Sequence, residues 1–261
     1  MLDPQFDGKV AVITGASRGV GRMLAEQFAQ AGARVAFCAR REEPLRALEA
    51  ELRSRGAEAI AVVADVSRHG DCGRLIDAAA ERWGRIDVLV NNAGISGAQK
   101  PIRDLGMDEF DEAMRTNLYS AYSCIHFASK HMIEQKSGAI VNISSGIGKM
   151  PVALRTAYGV SKMALVGLTR VVALELGPHK VRCNTVSPGW IEGERGAEVV
   201  ANMAKARNIP PERAREILVS GPLKEAVTGQ DICDTVLFLC SDRGRHITGQ
   251  DINVNSGSIM F

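Results

Sequence analysis

The amino-acid sequence predicts an α/β fold: a doubly wound, largely parallel sheet with helices on both faces. The first observation behind this prediction is an alternation along the chain. Short apolar runs rich in β-branched residues, typical of buried strands, are followed by stretches whose apolar residues recur at helical spacing. The second observation is a glycine-rich turn between the first apolar run and the first helical stretch, an arrangement that opens many doubly wound sheets.

The composition favours one domain and gives no support to several classes of function. The chain has 261 residues, 46% of them hydrophobic, and no Pro/Gly/Ser-rich linker or long charge run divides it. We therefore expect a single domain over residues 1–261. A formal net charge of +2 offers no electrostatic case for binding nucleic acid or an anionic membrane.

Signals for targeting and for metal binding are missing from the sequence. No apolar run approaches ~18 residues, and residues 1–7 lack the basic and apolar regions of a signal peptide. A cytoplasmic location is the expectation that follows. The six cysteines form no CxxC pair, and most fall in predicted strands or helix faces, which favours buried reduced thiols over disulfides or a metal site.

The first strand is predicted over residues 9–13 and leads into the glycine turn, TGASRGVG at 14–21. A helix is predicted from about Gly19, because apolar residues recur at helical spacing beyond it. Glycines let the backbone approach a pyrophosphate, which the N-terminus of the helix then stabilises. The alternative is an ordinary tight turn. The predicted pyrophosphate contacts are Gly15, Ser17, Arg18, Gly19, Val20 and Gly21.

The second strand, predicted over residues 33–39, ends in Ala39-Arg40-Arg41. An acidic residue at that place would bind the ribose 2′-hydroxyl of NAD, and none is present. Arg40, together with Arg18 from the turn, could instead clamp a 2′-phosphate through charge-assisted hydrogen bonds. The alternative is that both arginines are simply solvated.

A charged helix is predicted over residues 42–55, then a strand over 59–64, a helix over 72–83 and a strand over 86–90. The last of these strands is followed by Asn91-Asn92-Ala93-Gly94. Small residues there would let an adenosine lie across the strand ends. The two asparagines could alternatively serve only a turn.

Tyr158 and Lys162 are the candidate catalytic pair. They lie four apart in a stretch predicted to be helical, so both side chains can point into one cleft. A free tyrosine titrates near ~10, and a neighbouring positive charge stabilises the phenolate, which makes a tyrosine a usable proton donor and acceptor. Ser145 ends a β-branched run and is well placed to bind a substrate oxygen. The alternative is an ordinary surface Tyr–Lys pair.

The C-terminal third completes the alternation. The helix that contains Tyr158 is predicted to stop at Gly177-Pro178, and it is followed by strands over 181–186 and 248–254 with a helix over 230–240 between them. Residues 193–225 do not fit the sheet pattern and predict one or two helices broken near Pro210. Five acids and five bases between 190 and 216 favour a solvated, mobile lid over a basic docking surface.

Together these motifs resemble those of the short-chain dehydrogenase/reductase family, and in particular its 3-oxoacyl reductases and related ketone reductases. The match covers nearly the whole chain in the family's order. It comprises TGASRGVG at 14–21, NNAG at 91–94, Asn117, Ser145, YGVSK at 158–162 and Pro188-Gly189. The resemblance implies seven strands in the order 3-2-1-4-5-6-7, NADP(H) as the cofactor and a homotetramer.

The resemblance also implies roles for individual residues in a reaction that interconverts a ketone or aldehyde with an alcohol by hydride transfer. Ser145 would bind the carbonyl oxygen and Tyr158 would donate the proton. Lys162 would assist Tyr158 and bind the nicotinamide ribose, and Asn117 would kink a helix predicted over 108–135 and hold a relay water. The remaining implied cofactor contacts are Arg41, Asp65, Val66, Asn91, Ala93, Gly94, Tyr158, Pro188, Gly189 and Ile191.

The substrate pocket is predicted to be apolar. The residues expected to face the substrate are Ile95, Ile147, Met150, Leu154 and Trp190. Lys149 or Arg155, which flank the loop between Ser145 and Tyr158, could anchor an acidic group of the substrate. Exposure to solvent is the alternative for both.

Three other functions remain open. An NAD-linked hydroxy-acid dehydrogenase of the 3-hydroxybutyrate type is one, although Arg40 argues against NAD. An acyl-carrier-protein ketoreductase is another, although the two docking arginines common in those enzymes are replaced by Lys136 and His179. The third is a regulatory protein that senses a dinucleotide without catalysis. The chain also has Gly193 where many relatives have a threonine, so a hydrogen bond to the cofactor could be missing.

Overall fold

A computed structural model describes residues 5–261, apart from the side chain of Arg195. Seven strands form one sheet. They are β1 (Val10–Thr14), β2 (Arg34–Ala39), β3 (Ala59–Val63), β4 (Val88–Asn91), β5 (Gly138–Ile143), β6 (Val181–Pro188) and β7 (Asp251–Val254). Neighbouring strands are parallel and follow the order 3-2-1-4-5-6-7, which confirms the predicted fold class. Parallel strands bring all their carboxyl ends to one edge of the sheet, which is where the predicted site residues lie.

Helices cover both faces of the sheet. In the described part of the chain the α-helices are α1 (Gly19–Gln30), α2 (Glu42–Ser54), α3 (His69–Trp83), α4 (Met107–Met114), α5 (Ser120–Gln135), α6 (Thr156–Leu176), α7 (Glu194–Arg207), α8 (Pro211–Leu218) and α9 (Gly229–Cys240). One apolar core joins α1, α2 and α9 to the sheet, and a second joins α3, α5 and α6 to its other face. Because side chains alternate along a strand, β1 sends Ile13 into the first core and Val12 into the second.

The helix predicted over 108–135 contains an irregular turn at Asn117. Helices α4 and α5 are joined by a π-helical turn over Arg115–Tyr119, and Asn117 is buried at its centre. Turns of this kind often occur at functional sites, because they shift the following residues out of regular helical register. The family resemblance implies a kink at Asn117, and the structure has a π-helical turn there.

The segment predicted as a lid forms the two helices α7 and α8. Helix α7 ends at Arg207, and the next residue, Asn208, has a φ of 51° in the left-handed region that stops a helix. Pro211 then begins α8, at the position where a proline's missing N–H costs least. The predicted break near Pro210 is confirmed.

Helix α6 carries the Tyr–Lys pair and belongs to the core. By length and composition alone, residues 156–179 are the one stretch of the described chain that could cross a membrane, and 39% of its most apolar window is buried in the protein. Polar contacts tie this helix to the sheet. The Thr169 hydroxyl accepts a hydrogen bond from the Asn142 amide at 2.8 Å and lies 2.7 Å from the Thr185 hydroxyl.

All six cysteines are free and buried, as the sequence predicts. Burial raises the pKa of four of these thiols to about 12, those of Cys38, Cys183, Cys233 and Cys240. Because the thiolate is the nucleophile, only roughly one in ten thousand such groups is reactive at pH 8. We expect iodoacetamide at pH 8 to leave these four cysteines unmodified in the native protein. Peptide mass spectrometry checks this, with urea-unfolded protein labelled at all six positions as the control, and rapid native labelling of Cys38 would contradict it.

Candidate active site

The glycine turn lies against the loop that follows β4. Gly15 has a φ of 72°, and a Cβ built on it would lie 2.9 Å from the Ala93 Cα, so only glycine fits there. Gly19 has a φ of 56° and no atom within 4 Å of such a Cβ, so its side faces open space. The N-terminus of α1 is therefore accessible in front of the turn, as a pyrophosphate site requires.

Thr14 and Asn92 hold the glycine turn in place. The Thr14 hydroxyl accepts hydrogen bonds from the backbone N–H groups of Asn92 and Ala93, both at 3.0 Å. The Asn92 amide donates to the carbonyl oxygens of Thr14 at 2.9 Å and Gly15 at 3.2 Å. From the sequence, Asn92 could belong to a cofactor site or serve only a turn. In the structure its side chain supports the turn.

The Asn91 side chain points away from this edge. It is buried and donates to the Asn142 side-chain oxygen at 2.8 Å, within the sheet. A predicted cofactor contact by Asn91 would have to use its backbone.

The predicted adenosine end contains a cavity of about 310 Å³. It is lined by Arg40, Asp65, Ser67, Asp108, Glu112, Arg115 and Thr116. Arg40 and Arg41 are exposed. The Asp65 carboxylate accepts hydrogen bonds from the Ser67 N–H at 3.1 Å and the Ser67 hydroxyl at 2.8 Å, so it closes a local turn. Val66 beside it is buried.

The predicted two-arginine clamp is not assembled. Arg18 does not line this cavity, and its guanidinium lies 3.6 Å from the Glu194 carboxylate at the start of α7. Both side chains of this ion pair are more than half exposed, so the pair contributes little stability. The ion pair directs the Arg18 side chain toward the lid helices.

Lys162 and Asn117 converge beside Gly94, and Lys162 also lies near the Tyr158 ring. The buried Lys162 ammonium donates to the Ile143 carbonyl at 2.7 Å, at the end of β5, and lies 5.8 Å from the centre of the Tyr158 ring. A Cβ built on Gly94 would lie 3.1 Å from the Asn117 side-chain oxygen and 3.3 Å from the Lys162 Nζ. A larger residue at position 94 would crowd both polar groups.

Asn117 joins the loop after β4 to the first turn of α6. Its side-chain oxygen accepts from the Ile95 N–H at 2.7 Å, and its amide donates to the Ile95 carbonyl at 3.0 Å and to the Ser161 hydroxyl at 2.9 Å. Ser161 in turn donates to the Tyr158 carbonyl at 2.8 Å. Both amide hydrogens of Asn117 are therefore engaged by the protein. A relay water would have to bind one of its carbonyl oxygens.

Ser161 links Asn117 to the Tyr158 carbonyl, although it is not among the residues predicted to form the site. The signal available for it is its spacing, because a residue three positions after Tyr158 lies close to the same face of the helix.

Ser145 follows β5 and begins a short 3₁₀ turn over Gly146–Gly148. Its hydroxyl oxygen accepts from the Ile147 N–H at 3.3 Å, which leaves the hydroxyl hydrogen available to a ligand. The turn is packed closely on α6, since a Cβ on Gly148 would lie 2.9 Å from the Lys162 carbonyl group. Ser145 is thus fixed relative to the helix that carries Tyr158 and Lys162.

The loop after β6 is fixed by main-chain contacts. The Gly189 N–H donates to the Val254 carbonyl at 2.8 Å, and Ile191 forms a parallel bridge with Val227. Pro188 ends β6 and is buried. The threonine of many relatives is absent at Gly193 for a local reason. The φ of 132° at this position favours glycine, which starts α7 here.

The residues predicted to face the substrate lie on several loops around Ser145 and Tyr158. Met150 and Leu154 are exposed, and Ile95, Ile147 and Trp190 are half-buried.

Trp190 is held by both lid helices. Its indole N–H donates to the Gly196 carbonyl of α7 at 3.2 Å, and the Arg215 guanidinium of α8 lies 5.6 Å from the centre of its ring.

The two candidate anchors for an acidic substrate behave differently. The Lys149 ammonium is mostly buried, lies 3.2 Å from the Asp251 carboxylate and donates to the Phe261 carbonyl at 2.8 Å. The prediction that Lys149 could anchor a substrate is therefore wrong, because this charge is already neutralised by β7. The Arg155 guanidinium lies 4.7 Å from the centre of the Tyr158 ring, so Arg155 does border the catalytic pair.

Comparisons with known proteins agree with this arrangement, which is that of an oxidoreductase using a nicotinamide dinucleotide. A family model described as enoyl-(acyl carrier protein) reductase matches residues 15–258. The chain is 36% identical over 253 residues to the 3-oxoacyl-[acyl-carrier-protein] reductase FabG of Staphylococcus epidermidis, which covers 97% of this chain and 99% of that protein. It is 34% identical to an uncharacterised oxidoreductase of Thermotoga maritima over 97% of this chain and 98% of that one.

A solved structure of NAD⁺-bound xylitol dehydrogenase matches with a TM-score of 0.92 and 31% identity, over 97% of this chain and 99% of that chain. The chain therefore belongs to the short-chain dehydrogenase/reductase family. It is an oxidoreductase that acts on an alcohol or its carbonyl partner with a nicotinamide dinucleotide.

Proposed function

We propose that the protein interconverts a ketone or aldehyde with an alcohol using NADP(H), with Tyr158 as the general acid and base. The observation that carries this proposal is the convergence of Lys162 and Asn117 beside Gly94, next to the Tyr158 ring. Burying an ammonium group beside a tyrosine, at the ends of the strands, lowers the stability of the fold. Such an arrangement is typical of sites that transfer protons.

The glycine turn fits a dinucleotide. A side chain on Gly15 would collide with Ala93, and one on Gly21 would lie 2.4 Å from the Asn92 amide, so this cradle exists only with glycines. When bound, the cofactor supplies or accepts the hydride. The residues proposed to hold it are Gly15, Ser17, Gly19, Val20, Gly21, Arg40, Arg41, Asp65, Val66, Ala93, Gly94, Lys162, Pro188, Gly189 and Ile191.

Side chains of the protein would bind the carbonyl oxygen of the substrate and transfer the proton. Ser145 has a hydroxyl hydrogen free to donate to the carbonyl oxygen of a substrate. Tyr158 would give that oxygen its proton during reduction and take it back during oxidation. The Lys162 charge favours the phenolate left behind by Tyr158. Asn117 would hold the first turn of α6 in register through Ser161.

Arg40 is proposed to favour NADP(H). A hydrogen bond from a charged group contributes ~1.5–3 kcal/mol, which corresponds to a factor of roughly 10 to 100 in favour of NADPH. The double change Ala39→Asp with Arg40→Leu should then reverse the cofactor preference, because it adds repulsion as well as removing attraction. The measurement is kcat/KM for NADPH and NADH with one ketone at fixed ionic strength.

Arg82→Leu is the matched control for that experiment. Arg82 is an exposed arginine near the end of α3, so Arg82→Leu makes the same one-unit change in net charge as Arg40→Leu alone, at another place on the surface. Arg40→Leu alone is measured as well, since Ala39 is nearly buried and an aspartate there could destabilise the fold. A double variant that keeps the wild-type preference would remove Arg40 from cofactor selection.

An NAD-linked dehydrogenase is the second candidate, and one observation favours it. Arg18 is paired with Glu194 and stands outside the adenosine cavity, so a phosphate there would meet one arginine of the predicted two. The xylitol dehydrogenase structure that resembles this chain holds NAD⁺. A wild-type preference for NADH in the assay above would select this candidate.

The side chains around the site and the relatives of the chain each support a class of substrate. Exposed Met150 and Leu154 and half-buried Trp190 support an apolar carbonyl compound, and the 3-oxoacyl reductases among the relatives support a β-ketoacyl thioester. The experiment is NADPH and NADH oxidation over a panel of ketones, β-ketoacyl thioesters and keto acids. Turnover of none of them with tight NADPH binding would support a dinucleotide-sensing protein instead.

We further propose that the chain forms one domain, in which α7 and α8 act as a lid that opens at Trp190. We also propose that the enzyme is cytoplasmic. Helix α6 exposes an apolar stripe that a second subunit could cover, which supports a homo-oligomer, with a tetramer expected from the family. The stripe consists of Val160, Met163, Val171 and Leu174.

A further inference from the structure

The cavity at the adenosine end has two walls that come from distant parts of the chain. One wall holds Arg40 after β2, with Asp65 and Ser67 after β3. The facing wall is built by α4 and the π-helical turn, and it supplies Asp108, Glu112, Arg115 and Thr116. A ligand group that reaches Arg40 from this cavity therefore also meets the side chains of α4.

The α4 wall is acidic. Asp108 and Glu112 are four residues apart, so they lie on one face of the helix, and both are exposed. Neither forms an ion pair with any residue in the described range 5–261. Arg115 is partly neutralised, because its guanidinium lies 3.3 Å from the Asp111 carboxylate. Around the cavity, three carboxylates outnumber two guanidinium groups.

We propose that Asp108 and Glu112 are cofactor-selectivity residues that oppose Arg40 and narrow the preference for NADP(H), so that both cofactors are accepted. The inference rests on the proposed function, since it takes Arg40 to be the group that meets the 2′-phosphate. A phosphate monoester carries about −1.5 to −2 charges at pH 7. For a separation of about 8 Å in water, Coulomb repulsion by one carboxylate weakens the binding of such a charge by roughly two- to fivefold.

The carboxylates affect the two cofactors differently, because the repulsion acts only on the group that distinguishes them. NAD(H) has a neutral hydroxyl where NADP(H) has the phosphate. Charge on α4 therefore changes the binding affinity of its adenosine end very little. Selectivity at this site is therefore set by the balance between Arg40 and the α4 wall. An arginine after β2 is by itself an incomplete guide to cofactor choice in this chain.

The test uses adenosine 2′,5′-bisphosphate and 5′-AMP as probes, because they differ only in the 2′-phosphate. Their binding to the full chain is measured by calorimetry at about 20 mM ionic strength, where screening is weak. The variants are Glu112→Gln, Asp108→Asn and the double. We expect the double variant to bind the bisphosphate about 4- to 25-fold more tightly, with 5′-AMP changed less than about twofold. The gain should shrink strongly at about 0.5 M salt.

Glu81→Gln is the matched control. Glu81 is an exposed acid near the C-terminal end of α3, which runs back from the β3 carboxyl end toward the opposite edge of the sheet. It makes the same one-unit change in net charge as each single variant, away from the cavity, and should leave the affinity for both probes unchanged. An equal gain in Glu81→Gln would overturn the inference in favour of a general charge effect. Weaker binding of both probes to Glu112→Gln would overturn it too, because Glu112 would then hold the adenosine itself.

A failure of this inference is distinguishable from a failure of the proposed cofactor. Arg40→Leu tests the cofactor assignment directly, since it should weaken the binding of the bisphosphate and leave the binding of 5′-AMP unchanged. If Arg40→Leu does so and the acidic variants change nothing, the α4 inference is wrong and the proposed function stands. If Arg40→Leu leaves the bisphosphate unaffected, the NADP(H) assignment fails, and the α4 inference fails with it. Binding of neither probe to the wild type would overturn both.

Discussion

Tyr158→Phe is expected to lower kcat by roughly 10²- to 10⁴-fold, the usual contribution of a general acid or base. The substitution removes only the hydroxyl. The ring should keep its place 4.7 Å from the Arg155 guanidinium and 5.8 Å from the Lys162 ammonium. The affinity for NADPH should therefore stay within about threefold of the wild-type value. Steady-state reduction of an active ketone gives kcat, and fluorescence titration of NADPH gives the dissociation constant.

The control is Tyr122→Phe, which removes a hydroxyl from a tyrosine on α5. Tyr122 is exposed and stacks on His126, outside the group around Gly94, so its variant should retain wild-type turnover. Near-normal kcat in Tyr158→Phe would exclude this hydroxyl from the mechanism. A large loss of NADPH affinity together with kcat would instead indicate that Tyr158 acts mainly in cofactor binding.

The sequence was sufficient for the fold because burial imposes a readable pattern. Strands covered by helices on both faces are continuous apolar runs, and β1, with the sequence Val-Ala-Val-Ile-Thr, is buried at every position. Helix ends were also readable where proline and glycine set them, as at Gly177-Pro178 after α6. The strand order depended on resemblance to the family, since no local pattern states which strands pair.

The placement of Tyr158 near Lys162 could be predicted because its geometry is local. Tyr158 and Lys162 share one helix, so spacing alone brings them to one face. Asn117 is different, because its partners Ile95 and Ser161 lie 22 and 44 residues away in the chain. No spacing rule connects such positions, and the polar residue inside a helix was the only local sign.

The contacts of long charged side chains could not be predicted from the sequence. They depend on which opposite charge the fold brings near each side chain. The sequence leaves Lys149 available to a substrate, but the fold places it on Asp251, 102 residues away. Arg18 pairs with Glu194 at the start of the lid, and the clamp of Arg18 and Arg40 on a phosphate stays a prediction. The carboxylates of α4 likewise line one cavity with Arg40 only in the folded chain.

Lys162→Met should have the second largest effect, a loss of kcat of about 10²-fold or more together with weaker NADPH binding. Both follow from the two roles proposed for one ammonium group, which assists Tyr158 and holds the nicotinamide ribose. Methionine keeps most of the buried volume but leaves the Ile143 carbonyl without its 2.7 Å donor. We therefore also expect a stability loss of about 1–3 kcal/mol, the usual cost of a buried polar group without a partner.

A matched structural control separates catalysis from this loss of stability. Ser144→Ala removes the 2.7 Å hydrogen bond from the Ser144 hydroxyl to the Lys162 carbonyl and leaves the ammonium in place. That variant should lose stability and keep wild-type kcat and NADPH affinity, whereas Lys162→Met should lose both. Near-normal kcat in Lys162→Met would exclude a role of Lys162 beside Tyr158, and an unchanged NADPH affinity would show that the ribose contact is wrong.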